Sequence, residues 1–111
     1  AYNANPSSME GALDHFAELR ADRKVAILGH MLELGEYTGA EHERIARYAC
    51  SCSFDQVILV GELFREVAAA LGIRYFPDAR QLRNWLEAQA FEHTHFLLKG
   101  SRGIRLEEAV L

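Results

Sequence analysis

The sequence lacks a long apolar run, an excess of basic residues and a basic leader, and each absence argues against one class of protein. No run approaches the roughly 20 apolar residues that span a bilayer, so we expect no membrane insertion. No basic region followed by an apolar one stands at the start, so nothing indicates export. Lys and Arg number 12 against 16 Asp and Glu, a net charge of −4, which argues against nucleic acid as the main partner.

Cysteine is also scarce. Cys50 and Cys52 stand two residues apart at the end of a predicted helix, where their side chains point in different directions. No His or Cys pair completes a metal-ligand set around them. We therefore interpret both as reduced, partly buried thiols of a cytoplasmic protein.

What is present is typical of a globular domain, with half of the 111 residues apolar and a quarter charged. Short apolar runs ending near glycine predict strands buried in a parallel sheet: 24–29, 56–61, 94–100 and, more weakly, 73–76. Amphipathic segments between them predict helices: 9–19, 41–50, 63–71 ended by Gly72, 79–88 and a closing 104–111. The alternation predicts one domain over residues 1–111, a three-layer, Rossmann-like α/β sandwich with a mostly parallel sheet. Because the first element is a helix preceded by a loop, we expect that a first strand is missing.

The loop after the first strand contains glycines and acids, but it has neither GxGxxG nor GxxxxGK[ST]. The chain is therefore not expected to hold a triphosphate by itself. Two interpretations of the acids remain open. The acids could join His30 and His42 at a metal, or they are solvated acids at a helix start, with Thr38 and Glu41 forming a capping box. We favour the second interpretation and predict no metal site. The acids concerned are Glu33, Glu36, Glu41 and Glu43.

Two polar segments carry the candidate binding residues. In LLKGSRG, a strand delivers Lys99, Ser101 and Arg102 into a glycine-containing turn, which predicts a receptor for a carboxylate or phosphate. In YNANPSSM, near the beginning of the sequence, Asn5 or Ser7 can cap a helix that begins near Pro6. Capping does not account for Tyr2 and Asn3.

YNANPSSM, KVAILGHMLELGE, a histidine four residues into the next helix and LLKGSRG, in this order, closely resemble the C-terminal domain of the Mur ligase family. YNANP together with KGSRG is similar to the members that add D-alanyl-D-alanine to UDP-N-acetylmuramoyl-tripeptide. The resemblance implies a three-domain ligase that uses ATP and Mg²⁺, held mainly by a central domain with a P-loop. It also implies that the C-terminal domain closes the active site and is inactive alone.

The same resemblance assigns roles to residues. Asn3 and Asn5 match the family's polar loop and would contact ATP. Lys99, Ser101 and Arg102 match KGSRG and would face the substrate cleft, where they would orient the dipeptide or a developing charge. No catalytic residue is expected in this chain. His30 departs from the pattern, since the family commonly has Asp there.

The alternative is a self-sufficient binding module of the receiver or flavodoxin type. Such a module needs a phosphoacceptor Asp at the carboxyl end of a strand, or a flavin-binding loop. Here the corresponding positions are Gly29, His30 and Gly61. The alternative is therefore the weaker prediction.

Overall fold

The computed structural model describes residues 4–101, 104 and 106. The helices in this part of the chain are α1 (Pro6–Glu18), α2 (Thr38–Ser51), α3 (Arg65–Leu71) and α4 (Ala79–Glu87). The strands are β1 (Arg23–Gly29), β2 (Gln56–Val60), β3 (Arg74–Phe76) and β4 (Thr94–Lys99). Helices and strands alternate along the chain, which confirms the predicted pattern. Of the predicted closing helix, most residues lie outside the described ones.

The strands form one sheet in the order β3-β2-β1-β4, and every pair is parallel. Side chains of successive residues in β1 point to opposite faces of the sheet. Ala26 and Leu28 pack with α1, α2 and α3, whereas Val25 and Ile27 pack with α4. The sheet therefore lies between two helical layers, and the predicted three-layer α/β fold is confirmed.

The apolar stripes of the helices supply the rest of the core. Their buried residues include Met9, Leu13 and Phe16 of α1, Ile45, Ala46 and Ala49 of α2, Ala68 of α3 and Leu82 of α4. Both cysteines were expected to be partly buried, which is confirmed for Cys52 but wrong for Cys50, which is exposed. The buried stripe of α2 runs through His42, because residues at i, i+3, i+4 and i+7 share one side of a helix.

The strand β4 differs from the expectation of burial on both faces. Among the described residues it pairs only with β1, so it forms an edge of the sheet. His95 is exposed, and Phe96 retains 38% of its accessible surface. An edge strand has one neighbouring strand, and less of its surface is covered.

The ends of the helices combine local and distant contacts. Lys24 of β1 donates from Nζ to Phe16 O, Ala17 O and Leu19 O at 3.1, 2.8 and 2.8 Å. The ammonium thus binds carbonyls at the C-terminal end of α1, where main-chain acceptors lack the N–H groups of a following turn, although Phe16 O also accepts the Leu19 N–H at 3.2 Å. Gly72, with φ 70°, ends α3 in the left-handed conformation, as predicted.

The predicted capping box at Thr38 and Glu41 is wrong. The N-cap of α2 is Tyr37, without a side-chain capping bond, and Thr38 already has helical backbone angles. A 3-10 turn at Gly35–Tyr37 leads directly into α2, so the Thr38 hydroxyl donates back to Gly35 O at 2.7 Å.

None of the helices within the described ranges has both the length and the apolar character needed to cross a membrane.

Candidate functional site

The strand order places a crevice at the carboxyl ends of β1 and β4. After β1 the chain enters α2 on one face of the sheet. After β4, Ile104 and Leu106 pack on the opposite face, with residues of α4. Ligands of open parallel sheets bind where neighbouring strands send their connections to opposite faces. The carboxyl ends of β1 and β4 are therefore the candidate site.

Two glycines bring these strand ends into contact. A Cβ on Gly100 would lie 2.6 Å from Gly29 Cα, closer than real Cβ atoms approach other atoms. Just beyond them, the Ser101 N–H donates to His30 O at 3.1 Å. The turn that follows β4 is thus fixed to the turn that follows β1 by direct backbone contact.

Ser101 is the most distinctive polar residue of this turn. It retains 2% of its accessible surface, and its Oγ has no hydrogen-bond partner among the described residues. Buried hydroxyls are nearly always paired, since leaving one unpaired costs about 1–3 kcal/mol. Such a hydroxyl at the carboxyl end of a strand is a candidate ligand-binding group.

Lys99 lies two residues before Ser101, at the end of β4 and opposite Leu28 of β1. It is half-buried. The structure therefore brings Lys99 and Ser101 to the same strand end, as the sequence predicted. Arg102, the third residue of the predicted substrate-binding set, lies outside the described residues.

Of the two predicted nucleotide-binding residues, the structure describes only one. Asn3 lies outside the described residues, whereas Asn5 is the N-cap of α1. Its Oδ1 accepts the Ser8 N–H at 2.9 Å, and Ser8 Oγ accepts the Asn5 N–H at 3.1 Å. The predicted capping role of Asn5 is confirmed, whereas Ser7, the other candidate cap, lies within α1. Ser8 is the third residue of α1, and a capping box uses the backbone N–H of that position.

A pocket of about 480 Å³ lies beside the start of α1. It is lined by Pro6, Ser7, Glu10, Glu33, Leu34, Tyr37, Glu41 and Arg44. Arg44 is paired with Glu10 at 2.8 Å and with Glu41 at 2.9 Å. Carboxylates outnumber guanidinium groups in this lining, so its charge disfavours phosphate and favours hydroxyl or amino donors. Among the described residues, no three His, Cys, Asp or Glu side chains are grouped to hold a metal ion.

His42 has a structural role that the sequence analysis missed. It is fully buried, its Nε2 accepts the Met31 N–H at 2.9 Å, and its Nδ1 donates to Thr38 O at 2.7 Å. Phe64 packs edge-on against the ring, with centroids 4.7 Å apart. Burial lowers the pKa of His42, while the bond to Thr38 and the charge of Glu41 raise it less. Its place on the apolar stripe of α2 was the signal that could have revealed this role.

Comparison with known proteins identifies the family. Residues 1–102 match the family described as "Mur ligase, glutamate ligase domain". The chain belongs to the Mur ligase family. This assignment confirms the resemblance carried by the sequence motifs, and it stands against the alternative of a receiver or flavodoxin-like module.

Two curated relatives of this chain are Mur ligases of the same name. The chain is 33% identical to a UDP-N-acetylmuramoyl-tripeptide--D-alanyl-D-alanine ligase of Rickettsia prowazekii, over 98% of this chain and 25% of that protein. The ligase of the same name from Escherichia coli is 34% identical, over 99% of this chain and 25% of that protein. The chain thus spans about a quarter of these curated relatives.

The solved structures agree with the sequence comparison. A crystal structure of MurF from Acinetobacter baumannii superposes with a TM-score of 0.81 at 26% identity. The match covers 98% of this chain and 26% of the other. The Mur ligase fold thus extends over nearly the whole chain.

Proposed function

We propose that this chain, residues 1–111, is the C-terminal domain of an ATP-dependent ligase that adds D-alanyl-D-alanine to UDP-N-acetylmuramoyl-tripeptide. Such a ligase makes peptidoglycan precursors in the bacterial cytoplasm and so serves cell shape and division. The observation that carries the proposal is the placement of Lys99 and the buried Ser101 hydroxyl, which has no partner within the described part of the chain, at the strand-end crevice. The supporting likeness is to relatives of that name along 98% of the chain.

Lys99, Ser101 and Arg102 form the proposed substrate-binding turn. The positive charges of Lys99 and Arg102 suit the carboxylate of the dipeptide, and the Ser101 hydroxyl can donate to a carboxylate oxygen. The same groups can stabilise negative charge that develops as the amide bond forms. Because Ser101 N is bonded to His30 O, Ser101 is held in place before the substrate arrives.

The described residues suit only part of a nucleotide. Around the start of α1 the lining carboxylates would repel phosphates, but they can accept hydrogen bonds from ribose hydroxyls or a base amino group. We place the neutral part of ATP there, close to the N-cap residue Asn5, and we propose Asn3 as a further nucleotide contact. The carboxylates of this lining would repel the triphosphate, and no three His, Cys, Asp or Glu side chains are grouped to hold a metal ion among the described residues. We therefore assign the triphosphate and Mg²⁺ to a central domain.

ATP would activate the tripeptide carboxylate by phosphorylating it. The dipeptide amine would then attack the activated carboxylate and displace phosphate. The residues of this chain orient the dipeptide for that attack and exclude water when the domain closes. Water exclusion matters because an activated carboxylate is otherwise hydrolysed. The domain therefore contributes positioning and has no turnover of its own.

Phosphate release tests the proposed function. The complete protein should release phosphate only when ATP, Mg²⁺, the tripeptide precursor and D-alanyl-D-alanine are all present. Ser101→Ala should raise the KM for the dipeptide about tenfold, because a substrate hydrogen bond to a charged group contributes roughly 1.5–3 kcal/mol. Ser51→Ala, at the exposed end of α2, is the matched control and should leave that KM unchanged. Robust turnover by residues 1–111 alone would contradict the proposal.

Substitutions at the asparagines separate nucleotide contact from helix capping. Asn3→Ala should raise the KM for ATP and leave the free energy of unfolding nearly unchanged. Asn5→Ala should destabilise the domain by about 1 kcal/mol, because it removes the capping acceptor of α1. Asn5→Ser keeps a capping oxygen, so any rise in its KM for ATP reports nucleotide contact alone. Steady-state kinetics and urea unfolding of each variant measure both quantities. An equal loss of stability in Asn3→Ala would assign Asn3 to folding instead.

A further inference from the structure

His30 connects the turns that follow β1, β2 and β4. Its N–H donates to Val60 O at 2.9 Å, and its carbonyl accepts the Ser101 N–H at 3.1 Å. The ring adds a further bond, since Nδ1 accepts the Leu63 N–H at 3.2 Å in the turn after β2. A single residue thus joins the strand ends across the candidate site.

The ring bond is the part of this arrangement that depends on the side chain. Any residue except proline at position 30 could make the backbone bonds to Val60 and Ser101, but only a side chain with an acceptor at the Nδ1 position can bind Leu63 N–H. Because Nδ1 accepts, the neutral ring carries its hydrogen on Nε2. The ring is half-buried, and it meets the His42 ring edge-on with centroids 6.5 Å apart.

The surroundings keep the ring in this neutral form. Burial lowers the pKa of His30, and the neighbouring His42 lowers it further, against a smaller opposing effect of Glu62. Protonation at Nδ1 would turn the acceptor into a donor that faces the Leu63 N–H. The neutral imidazole is therefore the form that holds the turn after β2.

We propose that His30 is a positioning residue. Its Nδ1 accepts the Leu63 N–H of the turn after β2, and this bond helps to fix the His30 carbonyl that accepts the Ser101 N–H. Loss of the acceptor releases the ring from Leu63, so the His30 carbonyl, which still accepts the Ser101 N–H, is held less firmly. A small displacement of a positioning group weakens binding of the substrate it orients. This inference rests on the proposed function, because Lys99 and Ser101 are taken as contacts of the dipeptide.

Two amides of different length provide the test. In His30→Asn, Oδ1 occupies the place of Nδ1, whereas in His30→Gln the polar atoms reach the place of Nε2 instead. We expect His30→Gln to raise the KM for D-alanyl-D-alanine about tenfold and to change kcat less. His30→Asn should keep that KM within about threefold of the unsubstituted protein, since a conservative variant restores the acceptor. His15→Gln, exposed near the end of α1, is the matched control and should match the unsubstituted protein.

The measurements are phosphate release by the complete ligase at varied dipeptide concentration, with thermal unfolding of every variant. The inference is overturned if His30→Asn and His30→Gln show the same dipeptide KM, whether raised or unchanged. It is also overturned if the two variants change KM in the reverse order. Absence of dipeptide-dependent phosphate release by the unsubstituted protein would reject the proposed function and, with it, this role of His30.

Discussion

Gly100→Ala is expected to destabilise the domain by about 3 kcal/mol, the upper end of what overpacking usually costs, and to remove ligase activity in the complete protein. The added Cβ would lie 2.6 Å from Gly29 Cα, 3.0 Å from its N and 3.1 Å from its carbonyl carbon. These are backbone atoms of β1, so no side-chain rotation can relieve the contact. The strands β1 and β4 must separate at their carboxyl ends, and the bond from Ser101 N to His30 O is then lost.

Gly11→Ala is the matched control for this substitution. Gly11 lies within α1, and a Cβ there would meet nothing within 4 Å. Because glycine is a poor helix former, the same change should stabilise the domain by roughly 0.5–1 kcal/mol. Urea unfolding of both variants measures the difference, and steady-state phosphate release measures the activity. Stability changes of the same sign in the two variants would show that the contact between Gly100 and Gly29 is not tight.

His42→Leu is expected to destabilise the domain by about 3 kcal/mol. The substitution removes the acceptor of the buried Met31 N–H and the ring N–H that donates to Thr38 O. Leucine keeps the apolar contact with Phe64 but supplies no acceptor. The main chain at Met31 then loses its hydrogen bond to α2. His15→Leu, an exposed position on α1, is the control and should change stability by less than about 0.5 kcal/mol.

The same histidine makes stability depend on pH. Its pKa is lowered from 6.5 in the folded state, chiefly by burial, so the unfolded chain binds a proton more readily. Stability is then fully present above pH 6.5 and decreases as the pH falls below that value. The slope approaches about 1.4 kcal/mol per pH unit for each such group. His30, with a pKa lowered mainly by burial, acts in the same direction.

Urea unfolding between about pH 5 and pH 8 checks this dependence. His42→Leu should have a shallower acid decline than the unsubstituted domain, because one proton fewer is taken up on unfolding. An unchanged slope in His42→Leu would show that His42 does not resist protonation in the folded state.

The sequence alone determined the local elements of this fold. Continuous apolar runs predicted β1 and β2, since strands in the middle of a parallel sheet are covered on both faces. The spacing around Asn5 and Pro6 predicted the start of α1, because a capping oxygen bonds an N–H within the next turn. The motif LLKGSRG placed Lys99 and Ser101 at the end of a strand. All these features depend on residues close together in the chain.

Errors arose where the same local pattern allows two geometries. Thr38 has the residue type and spacing of an N-cap, but the 3-10 turn before it had already given its backbone helical angles. Cys50 lies near the edge of an apolar stripe, and the packing of α2 on the sheet decided that it faces solvent. Local patterns do not contain the neighbouring element that decides such cases.

Only the tertiary structure decided how the candidate site is assembled. No periodicity shows that β4 lies beside β1 rather than β3, and this order creates the crevice. The contact of Gly100 with Gly29, the unpaired burial of Ser101 and the two bridging histidines all follow from that order. These contacts join residues far apart in the chain. Their physical reason is the packing of strand ends and turns against one another, which becomes defined only when the sheet has formed.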